Sequence, residues 1–372
     1  MRILLIGNYA LDRQESMLRF ALLMERELKA LGHSVTLLQP EPYLGNLLPV
    51  SHGLGKWLGY VDKFMLFPIR LKRALKNYDV VHICDHSNAM YARHLGTSPH
   101  VVTCHDVLAI KSALGEIPQN KVSRTGRIFQ QWILEGLKSA QLIVCDSEAT
   151  REDLLRVTQR PPDSSTVVYL SLNYPYSPMP RHEALERLEK CGFDARTLFF
   201  LHVGGAQWYK NRLGLLQIFN SLRELPAYTQ ARLLMVGKPL SDSLLEYIAK
   251  SGLESAVEHL TDVSNEDLAA AYSIAEGLIF PSLQEGFGWP VLEAQACGCP
   301  VFTTGRPPMS EVGGNAAVYF NPEDATAAAA VIARALDTRE SIRQRGLTNV
   351  LRFSVGQMIE GYTRAYRGVT QR

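Results

Sequence analysis

The segment 281–300, PSLQEGFGWPVLEAQACGCP, combines glycines with a proline in an order that suits anion binding. A short apolar strand is predicted to end at Phe280, followed by a tight turn and a helix with Pro290 in its first turn. The start of such a helix presents unpaired backbone N–H groups and the positive end of the helix dipole, which suit a diphosphate. Gly286 and Gly288 carry no side chain, so a phosphate can approach the backbone there.

Two carboxylates flank this turn. Glu285 lies just before it, and Glu293 lies one helical turn beyond its end. The pattern predicts that both contact one ligand, Glu293 through ribose hydroxyls and Glu285 through a sugar. The alternative is a solvated acidic first turn that only complements the helix dipole. The spacing alone leaves both interpretations open.

A second glycine turn ends in a cation within the segment 203–212, VGGAQWYKNR. Gly204 and Gly205 follow a predicted strand, and Lys210 follows the turn. A lysine in this place would provide a point charge that suits an anionic ligand such as a diphosphate. The alternative is an ordinary exposed lysine.

Two further turns follow predicted strands in the first half of the chain. His105 and Asp106 come directly after the strand 101–104, and Gly7 and Asn8 follow the first strand. Ligands of parallel α/β sheets bind beyond the carboxyl ends of the strands, so these residues are candidates for contacts with a phosphate or an acceptor. A histidine at a strand end is also a common structural hydrogen-bonding group, and that alternative stays open.

The elements that position these residues alternate along the whole chain. Short apolar strands are predicted at 2–6, 34–38, 80–84, 101–104, 142–145, 167–170, 198–203, 232–236, 257–260, 278–280 and 301–304, with helical spacing of apolar residues between them. Short apolar strands that alternate with helices indicate parallel sheets covered on both faces. The fold class is therefore α/β, with two doubly wound parallel sheets.

A turn-rich stretch separates the two sheets. It holds several prolines and serines, so we predict a linker at 175–196 between a Rossmann-like domain at 1–174 and a second at 197–352. The last stretch, 353–372, has apolar residues at helical spacing and is predicted to join the first domain.

Bulk properties exclude several protein classes. A chain of 372 residues with 46% hydrophobic residues fills two ordinary domains, and a net charge of +2 does not indicate a nucleic-acid-binding protein. Six scattered cysteines lack the C-x-x-C spacing of zinc sites, and no D-x-D, G-x-G-x-x-G or P-loop motif is present. We expect no metal and no cofactor. The amino terminus does not have the pattern of a signal peptide, and we expect a cytoplasmic protein.

One segment mixes aromatic and basic residues. The range 53–76, GLGKWLGYVDKFMLFPIRLKRALK, is a basic amphipathic stretch that suits an anionic membrane surface and access to a lipid-linked acceptor. The alternative is a domain helix whose apolar face is core and whose lysines face water.

The run EGFGWPVLEAQACGCPV resembles the donor-binding motif of retaining GT-B glycosyltransferases of family 4, which include many bacterial mannosyl- and glucosyltransferases. The resemblance continues in the segment 309–324, MSEVGGNAAVYFNPED, and is strongest over 198–324. It implies a GT-B fold, in which two Rossmann-like domains face a central cleft.

The resemblance also implies residue roles. The carboxylate of Glu285 corresponds to one that contacts the donor sugar, Glu293 to one that holds the ribose, and Lys210 to one that neutralises the pyrophosphate. His105 corresponds to a histidine that contacts the donor sugar and the reaction centre. Other positions of the donor motifs are expected to line the same site; they are Gly204, Gly205, Leu260, Gly286, Phe287 and Gly288.

One departure from the family pattern concerns a second cation. Relatives carry an arginine after the first glycine of the 203–212 turn or just before the lysine, whereas this chain has Gly205 and Tyr209 there. Arg212 is a candidate replacement, although a helix would point it elsewhere.

The implied activity is metal-independent transfer of a hexose, with retention of anomeric configuration, from a nucleotide-diphosphate sugar to a glycan or lipid-linked glycan. GDP-mannose is slightly preferred over UDP-sugars as the donor. The alternatives are a phosphorylase or epimerase of the same fold, and a non-catalytic protein that binds sugar nucleotides.

Overall fold

Six short apolar strands form a parallel sheet in each half of the chain. The computed structural model describes residues 1–12, 14–47 and 53–371, with the backbone alone at residues 15, 53, 54 and 56. It divides into two compact units, Met1–Asn173 with Val355–Arg372, and Tyr174–Ser354. Both units are α/β with all-parallel sheets, so the predicted fold class is confirmed.

The sheet of the first unit has the strand order β2-β1-β3-β4-β5-β6. Its strands are β1 (Arg2–Ile6), β2 (Ser34–Leu38), β3 (Val80–Ile83), β4 (His100–Cys104), β5 (Leu142–Cys145) and β6 (Ser165–Val167). The helices between them are α1 (Glu15–Ala30), α2 (Gly53–Val61), α3 (Phe67–Ala74), α4 (Leu108–Ala113), α5 (Arg124–Ser139) and α6 (Glu148–Thr158). A π-helical stretch at Asp62–Leu66 joins α2 to α3, so the predicted basic segment is one helical stretch.

The sheet of the second unit has the strand order β12-β11-β10-β7-β8-β9. Its strands are β7 (Phe199–Gly204), β8 (Arg232–Gly237), β9 (Val257–Leu260), β10 (Gly277–Phe280), β11 (Val301–Thr304) and β12 (Ala317–Phe320). Its helices are α7 (Arg181–Lys190), α8 (Arg212–Arg223), α9 (Asp242–Lys250), α10 (Asn265–Ile274), α11 (Trp289–Ala296), α12 (Met309–Gly313), α13 (Ala325–Leu336) and α14 (Arg339–Asn349).

Some elements differ from the sequence-based expectations. The strand β12 was not predicted, although Gly313–Asn315 before it and Asn321–Pro322 after it are turn signals that could have marked it. The segment 175–196, predicted as a linker, contains the helix α7, which packs against α10 and belongs to the second unit.

The last helix, α15 (Val355–Thr370), belongs to the first unit. Its buried face carries Tyr362 and Tyr366, which form hydrogen bonds with the first sheet. The hydroxyl of Tyr366 lies 2.8 Å from His82 Nδ1, and the hydroxyl of Tyr362 lies 2.9 Å from Thr103 Oγ1. His82 Nε2 completes the network at 2.7 Å from Thr103 Oγ1. Because this network is fully buried, it fixes the position of the helix on the sheet.

Replacing Tyr366 with phenylalanine should lower the free energy of unfolding by about 1–3 kcal/mol, because a buried ring nitrogen of His82 loses its hydrogen-bond partner. Urea unfolding followed by circular dichroism would measure the loss. Tyr43→Phe is a matched control, since Tyr43 is exposed and its substitution should change stability little. Equal stability of the two variants would contradict an anchoring role for the network.

Candidate functional site

In the second unit, the strands β7 and β10 are neighbours in the sheet although they are not consecutive in the chain. Ligands of doubly wound sheets bind at such a switch in strand order, beyond the carboxyl ends of the two strands. Lys210 follows β7, and Glu285 follows β10. Lys210 Nζ donates a hydrogen bond to Glu285 Oε1 at 2.7 Å. Two residues predicted from separate motifs therefore form an ion pair at the switch point.

The surroundings of this ion pair favour a functional role over an ordinary surface lysine. The side chains of Lys210 and Glu285 are only 13% and 9% exposed. Lys210 Nζ also lies 5.2 Å from the centre of the Phe280 ring and 5.6 Å from that of Tyr209. The backbone N–H of Leu283 donates to the carbonyl of Tyr209 at 2.8 Å and links the two loops. The ammonium is therefore held in place before any ligand arrives.

The helix α11 begins as the sequence predicts. Gly288 caps it with a positive φ of 96°, a conformation that favours glycine, and Pro290 lies in the first turn. Glu293 lies one turn further on, where its carboxylate is buried and accepts a hydrogen bond from the hydroxyl of Tyr272 at 3.0 Å. Glu293 is therefore not part of a solvated acidic turn.

The first unit has its own switch in strand order, between β1 and β3. Asn8 follows β1 and Asp85 follows β3, and Asn8 Nδ2 donates to Asp85 Oδ2 at 2.5 Å. Asn88 Nδ2 donates to Asn8 Oδ1 at 3.0 Å. All three side chains are buried. The predicted turn residue Asn8 is thus fixed by an aspartate from the neighbouring strand.

His105 lies beside this network, at the end of β4. Its Nδ1 lies 2.5 Å from Asp146 Oδ2, and its Nε2 donates to the carbonyl of Cys84 at 2.9 Å. Burial lowers the pKa of His105, but the carboxylate of Asp146 outweighs it and raises that pKa to about 9. The imidazole is therefore a cation at neutral pH with both nitrogens engaged inside the first unit. This geometry corresponds to the structural role that the sequence left open, and a contact of His105 with the donor stays a prediction.

Each half of the chain matches a known protein family. Residues 186–347 match the family of Glycosyl transferases group 1, and residues 18–173 match Glycosyltransferase Family 4. An O-antigen chain mannosyltransferase B from Escherichia coli is 30% identical over 366 residues, which are 94% of this chain and 92% of that protein. The chain belongs to the group 1 glycosyltransferases.

Other similar proteins extend this result. A D-inositol 3-phosphate glycosyltransferase from Corynebacterium diphtheriae is 26% identical over 73% of this chain and 66% of that protein. Among solved structures, a sucrose-phosphate synthase from Thermosynechococcus elongatus superposes with a TM-score of 0.75 at 20% identity, over 99% of this chain and 98% of that one. The glycosyltransferase described here thus has the GT-B fold that its donor motif implied.

The remaining donor-motif positions of the glycosyltransferase have mixed environments. Gly204 ends β7, and a Cβ there would lie 3.1 Å from His202 Nε2. Phe287 is buried, and its ring contacts that of Phe353 at a centroid distance of 5.9 Å. Its side chain is therefore part of the core of the second unit. Leu260 ends β9, a strand separated from β7 by β8. Gly205 and Gly286 lie in the two loops that carry Lys210 and Glu285.

The guanidinium of Arg212 is engaged by a neighbouring loop. It donates to the carbonyls of Lys238 at 2.8 Å and Pro239 at 3.2 Å, which lie in the loop after β8. The direction agrees with the expectation that a helix would point Arg212 elsewhere. Within the described residues, Lys210 is the cation that the 203–212 turn places beside Glu285.

In the first unit, two predicted residues have local structural contacts. Asp106 Oδ1 accepts from the backbone N–H of Leu108, the first residue of α4, at 2.9 Å. The N–H of Gly7 donates to the carbonyl of Leu38 at 3.0 Å, and a Cβ at this glycine would lie 2.7 Å from Gln39 Nε2. Both residues shape the loops around Asn8 and His105, and their contact with a ligand stays a prediction.

Three residues near the predicted ones were not assigned a role from the sequence. Asp85 and Asp146 directly follow predicted strands, so the rule that picked out His105 would also have picked them out. Tyr272 has no such signal, because its contact with Glu293 depends on how α10 packs beside α11.

Replacing Tyr272 with phenylalanine should weaken binding of the donor nucleotide about tenfold, because a hydrogen bond to a buried carboxylate contributes about 1.5–3 kcal/mol. Isothermal titration calorimetry would measure the Kd of the nucleotide for the wild type and the variant. Tyr176→Phe is a matched control, since the hydroxyl of Tyr176 donates to Asn265 at 3.3 Å instead. An equal loss in both variants would show that Tyr272 does not act through Glu293.

Neither a group of metal ligands nor a membrane-spanning helix occurs among the described residues. No three His, Cys, Asp or Glu side chains within 1–12, 14–47 and 53–371 gather in a way that could hold a metal ion. None of the helices described has the length and apolarity that a membrane crossing requires.

Proposed function

We propose that this glycosyltransferase transfers a hexose from a nucleotide-diphosphate sugar to a glycan or lipid-linked glycan, with retention of anomeric configuration and without a metal ion. The observation that carries the proposal is the buried pair of Lys210 and Glu285 at the switch point of the second sheet. The start of α11 follows in the same loop, and Glu293 lies one turn into that helix.

Each of these groups has a task in the proposed reaction. Lys210 and the N-terminus of α11 take up the negative charge that develops on the departing diphosphate, a task that a metal ion performs in other transferases. The bond between the sugar C1 and the phosphate oxygen breaks, and a bond from C1 to the acceptor oxygen forms on the same face. The acceptor proton passes to an oxygen of the leaving phosphate. Glu285 orients the sugar hydroxyls and is not a nucleophile.

The donor is proposed to be GDP-mannose. Support comes from the Escherichia coli relative, which is named an O-antigen chain mannosyltransferase and is similar over nearly its whole length. The proposed compartment is the cytoplasm, since the six cysteines are all unpaired and five of them are buried.

Thermal unfolding in the presence of UDP, GDP, ADP or dTDP, each with and without inorganic phosphate, tests the proposal. A ligand at about a hundred times its Kd stabilises the fold by roughly 2.7 kcal/mol, which is enough to rank the bases. We expect GDP to stabilise the wild type and Glu293→Ala to lose that effect. His105→Ala is a matched comparison, since it should keep the GDP effect.

Other outcomes would point elsewhere. Stabilisation by phosphate alone would favour a phosphorylase, and binding of a nucleotide sugar without turnover would favour a non-catalytic relative. A product of inverted configuration in proton NMR would contradict retention. Loss of turnover after treatment with EDTA, with recovery on addition of Mg²⁺, would contradict metal independence.

A further inference from the structure

Two helical stretches of the first unit share a cluster of aromatic rings at the protein surface. The stretch from α2 to α3 contributes Tyr60 and Phe64, and α5 contributes Phe129 and Trp132. The Phe129 ring lies 4.8 Å from Tyr60 and 5.5 Å from both Phe64 and Trp132, measured between centroids. We call the exposed face of these two stretches the aromatic surface.

Large apolar side chains project from the aromatic surface. Trp57 is 64% exposed and Met65 is 63% exposed, while Ile69 and Ile128 are 52% and 53% exposed. Trp132 is also exposed. Single exposed apolar residues are normal, but a group on adjoining helices marks an interaction site.

The charge of the aromatic surface is strongly positive. The residues 53–76 contain one acid, Asp62, which is buried, and α5 contains one, Glu135, which pairs with Lys138 at 3.1 Å. No ion pair within the described residues neutralises the six exposed basic residues on or beside the two stretches, which are Lys72, Arg73, Lys76, Lys121, Arg124 and Arg127. On α3 the basic residues continue the helical stripe of Met65 and Ile69, since positions three or four apart share a face.

We propose that the aromatic surface docks the protein onto an anionic lipid bilayer. Tryptophan and aliphatic side chains suit the boundary between headgroups and acyl chains, and basic side chains beside them are attracted to anionic headgroups. A symmetric dimer through the same surface would bring like charges together, which opposes association. Single-stranded nucleic acid would use the rings for stacking, but Met65, Ile69 and Ile128 offer no ring face to a base.

The aromatic surface adjoins the loop that follows β1. Asp62, in the π-helical stretch, accepts a hydrogen bond from the hydroxyl of Tyr9 at 2.9 Å. Lys63 Nζ pairs with Asp12 at 2.9 Å and lies 5.4 Å from the Tyr9 ring. Docking therefore brings the loop of Asn8 near the lipid, which would suit a lipid-linked acceptor. That last step rests on the proposed function.

Co-sedimentation with vesicles of phosphatidylcholine, with and without phosphatidylglycerol, tests the docking. We expect the full chain to bind only the anionic vesicles and to be released by salt. The triple variant Lys72→Gln, Arg73→Gln and Lys76→Gln should bind about a hundredfold more weakly. The pair Ile69→Ser and Ile128→Ser should also weaken binding, because it removes apolar contact without changing charge.

A charge-matched control lies in the second unit, where Arg181, Lys190 and Arg334 are exposed and form no ion pair with the described residues. Changing these three to Gln should leave vesicle binding intact. The proposal would be overturned if the two triple variants bound anionic vesicles equally well. It would also be overturned if the wild type bound neutral and anionic vesicles equally, or bound no vesicles at low salt. A dimer that Ile69→Ser and Ile128→Ser dissociate would assign the surface to a second copy, and release by oligodeoxythymidine would assign it to nucleic acid.

Vesicle binding is measured without turnover, so a failure of the docking proposal can be told apart from a failure of the proposed function. Transfer to a water-soluble acceptor by a triple variant that no longer binds vesicles would keep the proposed function and restrict the surface to docking. If Trp57 inserts, the tryptophan emission of the wild type should shift to the blue on anionic vesicles, and Trp57→Phe should reduce that shift. An unchanged emission spectrum in bound protein would exclude insertion at Trp57.

Discussion

Replacing Lys210 with methionine should lower kcat/KM between about a hundredfold and a thousandfold, the range found when one fixed electrostatic group is removed from a reaction centre. Methionine keeps an unbranched stem over the Phe280 ring and removes only the charge. The departing diphosphate would then lose the cation that the loop after β7 holds in place. Steady-state kinetics with the donor chosen by the nucleotide screen would measure the loss.

The ion pair with Glu285 makes the two partners separable. In Glu285→Gln the ammonium of Lys210 no longer has an anionic partner at 2.7 Å, so binding of the nucleotide diphosphate should be kept or tightened. Turnover should still fall, because the proposed sugar contact of Glu285 is weakened. Lys210→Met should therefore weaken nucleotide binding and Glu285→Gln should not, while both variants lose activity.

Two controls separate the charge of Lys210 from its mere presence. Lys210→Arg keeps the charge and should lose much less activity than Lys210→Met. Lys238→Met removes an exposed lysine at the end of the neighbouring strand β8 and should change kcat/KM little. Thermal unfolding would show whether the methionine variant is folded, since Glu285 loses its partner in a largely buried setting. Near-normal activity in a folded Lys210→Met would contradict the assignment.

The alternation of short apolar strands with helices was enough to predict both parallel sheets. Once the sheets were predicted, the rule that ligands bind beyond strand ends placed the loops of Lys210 and Glu285 at one edge. The sequence did not predict their direct ion pair, which joins residues 75 positions apart. Such a contact depends on the relative placement of two loops, and residue spacing carries no information on that.

The same limit explains the unassigned residues. Tyr272 has the spacing of an ordinary core residue of α10, and only the packing against α11 brings its hydroxyl to Glu293. The π-helical stretch had one signal, the lone acid Asp62 in an apolar basic run. Its buried carboxylate accepts from the N–H of Gly45 at 2.8 Å and so requires a loop that the sequence left without assignment. Residue types thus predicted the strands and helices and the loops at the strand ends. The hydrogen-bond partners of individual side chains could be identified only in the folded structure.

Replacing Asp146 with asparagine should remove the reason that His105 is charged at neutral pH. Asp146 is buried and lies 2.5 Å from His105 Nδ1, and its carboxylate raises the pKa of the histidine to about 9 against the effect of burial. Without that carboxylate, burial should bring the pKa below 6.5, the value of an exposed histidine. The imidazole of the variant should therefore be neutral at pH 7, as NMR of a histidine labelled with ¹⁵N would show.

This change should alter stability as a function of pH. Because the folded pKa of His105 lies above the unfolded value of 6.5, the His105–Asp146 pair contributes its full stabilisation below about pH 6.5 and loses it as the pH rises through about 9. The loss should reach about 3.5 kcal/mol, because about 2.5 pKa units separate the folded and unfolded values and each is worth about 1.4 kcal/mol. The buried histidines His82 and His202 have pKa values of about 3 and about 4, so they titrate below this window.

Urea unfolding of the wild type and of His105→Gln at several pH values between 6.5 and 9 would isolate the pair. The difference between the two proteins removes the contribution of cysteines that titrate in the unfolded chain, since both proteins share them. The stability difference between these two proteins should shrink steadily as the pH rises. If the reaction needs the imidazolium, kcat of Asp146→Asn should be lower than kcat of the wild type. A stability difference that does not change with pH would mean that His105 is neutral in the folded protein. A pH-dependent difference with unchanged kcat in Asp146→Asn would confine His105 to holding β3, β4 and β5 together, through Cys84 and Asp146.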